Sequence, residues 1–298
     1  MPLTSIHELM RKAVAGGYAV GFFESWSIDS LQGAIDAAET TQSPIIVGFN
    51  GEFLSGSTRE TEERIAWYGA LGRAAAASAS VPCGVIFNEC SHDDRIREAI
   101  HAGFNLVMPA DASAPLDQYA RRVRDLADLA HAHGVGVEAE LGELPFGADD
   151  EPAHAGTTTD PDTAARFVAE TGIDLLAVSV GNVHVMLKGS QPLDLGHLQR
   201  LRDAVSVPFV LHGGTGIDRE SLQAAIAMGI AKVNYGTYVK QRYLAAVREA
   251  VRTDHVDPHA LIGKGGPEDL LVIGRHAVRD AVLERITWLG CCGKAAGD

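Results

Sequence analysis

Residues 116–141 read LDQYARRVRDLADLAHAHGVGVEAEL, and this stretch contains the repeating unit from which the fold follows. Apolar residues recur at helical spacing in its first part, which predicts a helix that ends at Gly134, a glycine suited to a helix C-cap. The next run, 135–141, is short and mostly apolar and predicts a buried strand. Two acids, Glu138 and Glu140, lie near the end of that strand. A helix that leads directly into a buried strand is half of a β/α repeat.

The same unit recurs along most of the chain. Eight short apolar runs predict strands, at 18–24, 43–50, 81–89, 104–110, 135–141, 173–181, 207–214 and 231–237. Helical periodicity is clearest at 30–40, 93–103, 116–134, 160–172 and 218–229. Eight strand–helix units predict a parallel sheet, and eight is the number that closes a (β/α)8 TIM barrel. A doubly wound open sheet is the alternative, but no predicted strand leads into a GxGxxG turn.

The ends and the composition of the chain set limits on this barrel. All 298 residues are predicted to form one domain, with an amphipathic helix at the N-terminus and extra helices after Asp257. The formal net charge of −14 disfavours nucleic acid and anionic membranes as partners. No apolar run approaches about 20 residues, the length that spans a bilayer. The four cysteines show neither a CxxC pair nor a disulfide framework, which indicates a reducing, cytoplasmic compartment.

Polar side chains cluster where the predicted strands end, and in a barrel these ends form one catalytic mouth. The residues expected at this mouth come from the third, fifth, sixth and seventh strands, and they are Asn88, Glu89, Glu138, Glu140, His184 and His212. Imidazole and carboxylate groups together are ligands for Zn²⁺, Mn²⁺, Co²⁺ or Fe²⁺. Because a single histidine at a strand end is more often a hydrogen-bonding group than a ligand, the prediction of a metal site depends on these groups sharing one mouth.

The last two strands are followed by sequences suited to an anion. HGGTG, which begins at His212, has glycines that let backbone N–H groups turn toward a phosphate, and the helix predicted from Asp218 adds its dipole. Barrels often bind phosphate with the loops after these two strands. The predicted phosphate-binding residues are Gly213, Gly214, Thr215, Asn234, Tyr235, Gly236 and Thr237, with Lys188 as an additional positive charge. The alternative is a tight turn that needs glycine for steric reasons alone.

One long loop breaks the alternation. Residues 142–160, GELPFGADDEPAHAGTTTD, are polar and rich in glycine and proline. Loops of this length inside a compact barrel are usually functional lids or disordered segments. We expect this loop to close over the barrel mouth and to bring Asp149 or Asp150 toward the site.

Several of these stretches together resemble the class II, metal-dependent ketose-bisphosphate aldolases. The resemblance runs from the N-terminal helix to LGCCGKAA and includes HAHGVGVEAELG, GNVHV and VPFVLHGGTGI. It implies a (β/α)8 barrel, a divalent metal that is usually zinc, and reversible cleavage of a phosphorylated ketose through dihydroxyacetone phosphate, in a homodimer or homotetramer. By the resemblance, His184 and His212 are two of three metal-binding histidines, Glu140 is a carboxylate near the metal, and the two glycine-containing loops hold phosphate.

The end of the third strand departs from that family. The family has Asp-His-Gly, in which Asp exchanges a proton with the substrate and His is the third metal ligand, whereas this chain has Asn88, Glu89 and Cys90. Glu89 can still bind a metal, but its charge lowers that of a Zn²⁺ site from +2 to +1, so Mn²⁺ becomes more competitive. Asn88 cannot act as a general acid or base, because an amide does not titrate.

Two further acids of the family are displaced. The fourth strand of the family ends Asp-Gly-Ser, and this chain reads ADA at 110–112, with Asp111 one position away. Ala148 stands where the family lid has an acid, and Asp149 and Asp150 follow it. These departures predict a retained scaffold with a rebuilt proton-transfer set. The predicted catalytic residues are therefore Asn88, Asp111, Glu138, Glu140, Asp149 and Asp150.

The sequence thus predicts an aldolase-like lyase that acts on a phosphorylated ketose. Its metal ligands are predicted to be Glu89, His184 and His212, with zinc as the first choice and manganese or cobalt as alternatives. An isomerase, an epimerase or another C–C bond-forming enzyme on the same barrel is the main alternative function. A non-catalytic protein that keeps the phosphate or metal pocket is the other.

Overall fold

Eight parallel strands close into a barrel, as the sequence predicted. The structure is a computed structural model, which describes residues 3–111, 113–142, 144–147, 156–186, 188–252 and 257–295. The strands in these ranges are β1 (Val20–Glu24), β2 (Ile45–Asn50), β3 (Cys83–Cys90), β4 (Leu106–Pro109), β5 (Gly136–Leu141), β6 (Phe146–Gly147), β7 (Leu175–Val178), β8 (Val185–Met186), β9 (Phe209–Leu211) and β10 (Ile230–Tyr235). All except β6 and β8 form the closed barrel, in the order β1-β10-β9-β7-β5-β4-β3-β2. Closure excludes the open doubly wound sheet.

Helices alternate with the barrel strands. They are α1 (Ile6–Gly16), α2 (Ile28–Thr41), α3 (Gly51–Ser55), α4 (Ile65–Ser78), α5 (Asp93–Ala102), α6 (Leu116–Ala132), α7 (Pro161–Thr171), α8 (Leu195–Ala204), α9 (Arg219–Ala227), α10 (Thr237–Ala250), α11 (Pro258–Leu261) and α12 (Leu270–Leu289). Gly134 follows α6 with a φ of 71°, so the glycine that was predicted to end this helix does so. No helix in the described ranges has the length and apolar character that crossing a membrane requires.

The N-terminal helix packs against the amino-terminal ends of the strands. Just before α1, the backbone N–H of Thr4 donates to the carbonyl of Cys83 at 2.9 Å. The side-chain amide of Asn105 donates to the carbonyl of Thr4 at 2.8 Å. The buried face of α1 consists of Ile6, Leu9, Met10 and Ala13. Because these contacts cover the amino-terminal end, the open mouth of the barrel lies at the carboxyl ends of the strands.

The predicted extra helices are present, and the longer one packs on the barrel helix α2. Arg275 of α12 donates two hydrogen bonds to the carboxylate of Asp36 in α2, at 2.6 and 2.8 Å. The two backbones approach closely at Gly33, where a Cβ atom would lie 2.5 Å from the carbonyl oxygen of Arg275. Only glycine therefore permits this contact between α2 and α12.

The loop that was predicted as a lid is described only at its two ends. At its start, β6 pairs with β8 in a small parallel sheet, with Phe146 opposite Val185. Asp149 and Asp150 lie outside the described residues. Their expected approach to the barrel mouth therefore stays a prediction.

Candidate metal centre and its two cavities

Three side chains from different parts of the barrel mouth meet at its centre. Glu89 lies in β3, His184 follows β7 and His212 follows β9. Glu89 Oε1 lies 3.5 Å from His184 Nε2 and 3.4 Å from His212 Nδ1. One ligand atom from each residue lies within 4.8 Å of the other two, so a single ion could contact all three. The structure thus brings together the three residues that the sequence predicted as metal ligands.

An uncommon backbone conformation directs Glu89 toward the histidines. Its φ of 53° lies in the left-handed region, which costs a residue with a side chain about 1–2 kcal/mol. The pairing of β3 with β4 shifts register between Phe87 and Cys90, as at a β-bulge, and bulges redirect side chains. Asn50, at the end of β2, donates to Glu89 Oε2 at 2.9 Å. This bond leaves Oε1 facing the histidines.

A buried carboxylate–ammonium pair supports His212 on the Nε2 side of its ring. His212 Nε2 is hydrogen-bonded to Glu138 Oε1 at 2.9 Å, and Lys232 Nζ lies 2.7 Å from Glu138 Oε2. Glu138 and Lys232 are both 0% exposed. A carboxylate behind a metal-binding histidine fixes its tautomer and ring orientation. This placement indicates that Glu138 positions the imidazole of His212, and the catalytic role predicted for Glu138 stays a prediction.

The other ring nitrogen of His212 faces concentrated negative charge. Nδ1 lies 2.7 Å from Glu140 Oε2 but makes no hydrogen bond of acceptable geometry. Burial lowers the pKa of His212, but Glu140, Glu138 and Glu89 outweigh burial and raise that pKa to about 10. Burial raises the pKa of Glu89, but His184 and His212 reverse this and bring it down to about 2. A buried nitrogen without a hydrogen bond, facing ionised carboxylates, fits a divalent cation.

A cavity of 220 Å³, which we call the small cavity, lies between the cluster and the loops after β9 and β10. Five of its lining residues belong to the predicted phosphate-binding set, namely Gly213, Thr215, Asn234, Gly236 and Thr237. Gly213 has a φ of 66°, and a Cβ atom there would lie 1.8 Å from the carbonyl oxygen of Val183, so only glycine fits. Asn88 also lines this cavity and is 3% exposed, and its Oδ1 atom has no hydrogen-bond partner. The small cavity therefore offers polar groups to a ligand.

Lys240 supplies the positive charge of the small cavity. It lies in the first turn of α10, and its Nζ atom contacts Glu24 Oε1 at 2.5 Å. Three members of the predicted set, Gly214, Tyr235 and Lys188, are not among the lining residues. The ring of Tyr235 is buried and stacks on Phe23 at 5.3 Å, away from the cavity. Lys188 is exposed and is not among the lining residues, so the charge expected from Lys188 comes from Lys240.

A second cavity of 420 Å³, the large cavity, lies on the other side of Glu89 and His184. It is lined by Glu52, Glu89, Ser91, Met108, Ala110, Asp111, Ser113, Tyr119, Glu140, Gly142, Leu144 and His184. Asp111 Oδ1 accepts hydrogen bonds from Ser113 Oγ at 2.8 Å and from the Ala114 N–H at 3.1 Å. The hydrogen bonds from Ser113 are the main reason that the pKa of Asp111 is lowered. The predicted catalytic acids Asp111 and Glu140 thus lie in one cavity wall beside the cluster.

Five residues of the site were missed by the sequence reasoning. They are Glu24, Asn50, Glu52, Lys232 and Lys240. Glu24 and Asn50 end the first two predicted strands, so the strand-end rule would have indicated both. Alternation along β10 places Lys232 on the same side as Asn234, which signals its inward direction. Nothing in the sequence pattern pointed to Glu52.

Comparison with known proteins identifies the family. A protein-family model described as "Fructose-bisphosphate aldolase class-II" matches residues 4–294. The chain belongs to this class II aldolase family. The fructose-bisphosphate aldolase of Geobacillus stearothermophilus is 33% identical over 301 residues, which cover 99% of this chain and 100% of that protein.

Solved structures of aldolases share the barrel. The crystal structure of the YdjI aldolase from Escherichia coli K12 is 32% identical with a TM-score of 0.82, and the match covers 99% of this chain and 100% of that one. The fructose-bisphosphate aldolase of Campylobacter jejuni has the same fold, with a TM-score of 0.74 at 21% identity, over 98% of this chain and 97% of that one. The predictions of a TIM barrel and of an aldolase-like lyase are confirmed. Class II aldolases depend on a metal, and the cluster of Glu89, His184 and His212 is able to hold one.

Proposed function

We propose that this class II aldolase cleaves a ketose phosphate at a metal held by Glu89, His184 and His212, and that it releases a three-carbon phosphate. The observation that carries the proposal is the position of this cluster between two cavities, of which the small one holds the loops suited to phosphate. Zinc is the first choice, because two imidazoles and one carboxylate are a known catalytic zinc set, and manganese or cobalt would fit the same donors. A divalent metal there would polarise the substrate carbonyl as a Lewis acid.

The small cavity would hold the phosphate of the substrate. The φ of Gly213 brings backbone close to the cavity, and Gly236 and Thr237 place the N-terminus of α10 at its wall, where N–H groups favour an anion. Lys240 would exchange part of its contact with Glu24 for the phosphate. Gly214 is buried against Val233 and Asn234 and supports the turn. Asn88 and Asn234 would hydrogen-bond substrate oxygens, since each has an unpartnered side-chain atom.

Proton transfer would come from the wall of the large cavity. Cleavage needs a base that removes a proton from the hydroxyl beside the breaking C–C bond, and an acid that later protonates the three-carbon fragment. Asn88 cannot do either, because its amide does not titrate. Asp111 and Glu140 both line the large cavity next to the cluster, and we assign proton transfer to this pair. Asp149 and Asp150 remain further predicted acids of the lid.

The assembly and location follow from the family resemblance and the sequence. We propose a homodimer or homotetramer, as is usual for such aldolases, in the cytoplasm. The three buried cysteines are free thiols, and so is the exposed Cys292, which agrees with a reducing compartment.

The test is an assay for triose phosphate. Purified protein would be incubated with fructose 1-phosphate, fructose 1,6-bisphosphate and tagatose 1,6-bisphosphate, and triose phosphate would be measured by a coupled reductase. We expect release that stops after chelation and returns with Zn²⁺, Mn²⁺ or Co²⁺. Conversion of a ketose phosphate to an isomer or epimer, with no triose phosphate, would favour the alternative function. Binding of metal and phosphate without any turnover would mean a non-catalytic protein.

A further inference from the structure

The two cavities beside the metal cluster differ in charge. The small cavity is lined by three acids, Glu24, Glu52 and Glu89, but also by Lys240, which pairs with Glu24, by the N-terminus of α10 and by a glycine turn. The large cavity is lined by four acids, Glu52, Glu89, Asp111 and Glu140, and by no lysine or arginine among the described residues. Because Glu52 and Glu89 line both cavities, the difference lies in Lys240 and the helix N-terminus on one side and in Asp111 and Glu140 on the other, so a phosphate would be favoured in the small cavity over the large one.

Arg122, whose charge acts on Asp111, already has several hydrogen-bond partners. Arg122 lowers the pKa of Asp111 by its charge, but it does not line the cavity. Its Nε atom contacts Asp93 at 2.5 Å, and its other nitrogens donate to the carbonyls of Cys90, Ser91 and Ala110. Arg122 thus ties the ends of β3 and β4 together. Binding a phosphate with it would break these hydrogen bonds.

The walls of the large cavity suit hydroxyl groups better than a second phosphate. Ionised carboxylates only accept hydrogen bonds, and sugar hydroxyls can donate them, whereas a phosphate offers acceptor oxygens and negative charge. Ser91 and Ser113 add hydroxyls, and Met108, Tyr119 and Leu144 add apolar surface. Its 420 Å³ is nearly twice the 220 Å³ of the small cavity, so it offers more room than the phosphate side.

We infer that the preferred substrate is a ketose with a single phosphate, and that the aldehyde half in the large cavity is an uncharged polyhydroxy aldehyde. The inference rests on the proposed aldolase function and deepens it. Fructose 1-phosphate and fructose 1,6-bisphosphate are a matched pair, because they differ only by the phosphate that would enter the large cavity. We expect wild-type kcat/KM for triose phosphate release to be at least about tenfold higher for fructose 1-phosphate, a difference of about 1.4 kcal/mol.

Three variants locate the cause of this preference. Ser113→Arg adds a positive charge to the large cavity, and Ser113→Gln adds a similar polar chain without charge. We expect Ser113→Arg to shift the ratio of the two kcat/KM values toward the bisphosphate by about tenfold, and Ser113→Gln to leave it unchanged. Lys240→Gln should lower kcat/KM for both substrates by a similar factor, because both place a phosphate in the small cavity.

The outcomes separate this inference from the proposed function. Preference for the bisphosphate in wild type, or an unchanged ratio in Ser113→Arg, would overturn the inference while leaving the protein an aldolase. The same holds if Lys240→Gln lowers activity on only one of the substrates. If neither fructose 1-phosphate, nor the bisphosphate, nor the reverse addition of dihydroxyacetone phosphate to glyceraldehyde gives product, the proposed function itself fails, and the inference with it.

Discussion

Charged residues of the barrel mouth differ in burial. We call His212 and the buried residues Glu138 and Lys232 the floor of the mouth, and the residues of the cavity walls, such as Glu24, Lys240 and Asp111, its rim. At the floor, Glu138 and Lys232 are both 0% exposed, and they support His212 from one side only. At the rim, Glu24 and Lys240 form a similar carboxylate–ammonium pair, but 30% of the Lys240 side chain is exposed and the pair lines a cavity. A buried pair fixes geometry, because breaking it leaves an uncompensated charge. In the rim pair only Lys240 is partly exposed, and a lysine that water reaches can exchange partners at lower cost than a fully buried one. The floor should therefore determine whether a metal binds, and the rim should determine which substrate reacts.

The test with the largest expected effect removes His212, the proposed metal ligand at the floor. His212→Ala should abolish metal binding and lower kcat/KM by roughly 10³-fold or more, because a catalytic metal supplies several kcal/mol of stabilisation. Metal content measured by elemental analysis and kcat/KM measured on the best substrate check it. His101→Ala, which removes an exposed histidine of α5, is the matched control and should change neither value. Full metal occupancy in His212→Ala would refute the assignment of His212 as a ligand.

The second test compares two lysines in similar ion pairs. Lys232→Met leaves Glu138 buried without its partner and should lower the free energy of unfolding by about 3–5 kcal/mol. Lys240→Met leaves Glu24, which is 10% exposed, without its lysine and should cost less than Lys232→Met, because the rim pair lines a cavity and water reaches it. Urea unfolding of both variants measures the difference.

A second substitution controls for the loss of packing. Glu138→Gln added to Lys232→Met removes the uncompensated charge and should recover part of the lost stability. Equal losses in Lys232→Met and Lys240→Met would show that the floor pair is not structurally distinct from the rim pair.

The floor was harder to predict from the sequence than the barrel itself. Strands and helices follow from hydrophobic periodicity, a local property, and the eight predicted runs each overlap one barrel strand, with β3 and β10 extending one residue beyond their runs. The cluster of Glu89, His184 and His212 was also predictable, because parallel strand ends converge. The position of Glu138 behind His212 was not predictable, because strand alternation says which side of the sheet a residue faces but not how deeply it is buried. Lys232 was missed for the same reason, as a lysine in a strand gives no sign of a buried partner 94 positions away along the chain.

The third test concerns proton transfer at the rim. Asp111→Asn removes a titrating group from the large cavity and should lower kcat by about 10²-fold, the lower end of what a missing general acid or base costs. Metal content should stay unchanged, because Asp111 is not part of the cluster. Asp117→Asn, which alters an exposed acid of α6, is the control. An unchanged kcat would mean that Asp111 only caps the turn formed with Ser113 and Ala114.

The smallest expected effect lies where floor and rim meet, at Asn50. Its side-chain amide donates to Glu89 Oε2 at 2.9 Å, and its Oδ1 accepts from the Phe53 N–H at 3.0 Å as the N-cap of α3. Asn50→Ala should weaken metal binding about tenfold, because groups that orient a metal ligand typically contribute 10–100-fold to affinity. Competition with a chromogenic chelator measures this affinity. Loss of the cap alone should cost about 1 kcal/mol of stability.

The cap and the ligand contact of Asn50 can be separated. Asp160→Ala removes a comparable N-cap, from α7, whose Asp160 Oδ1 accepts from the Thr163 N–H at 2.8 Å. Both variants should lose similar stability in urea, but only Asn50→Ala should lose metal affinity. Suppose that both keep full affinity. The strained backbone of Glu89, with its φ of 53°, would then hold the carboxylate in place without the hydrogen bond from Asn50. In that case the bulge of β3 alone would orient Glu89 toward the metal.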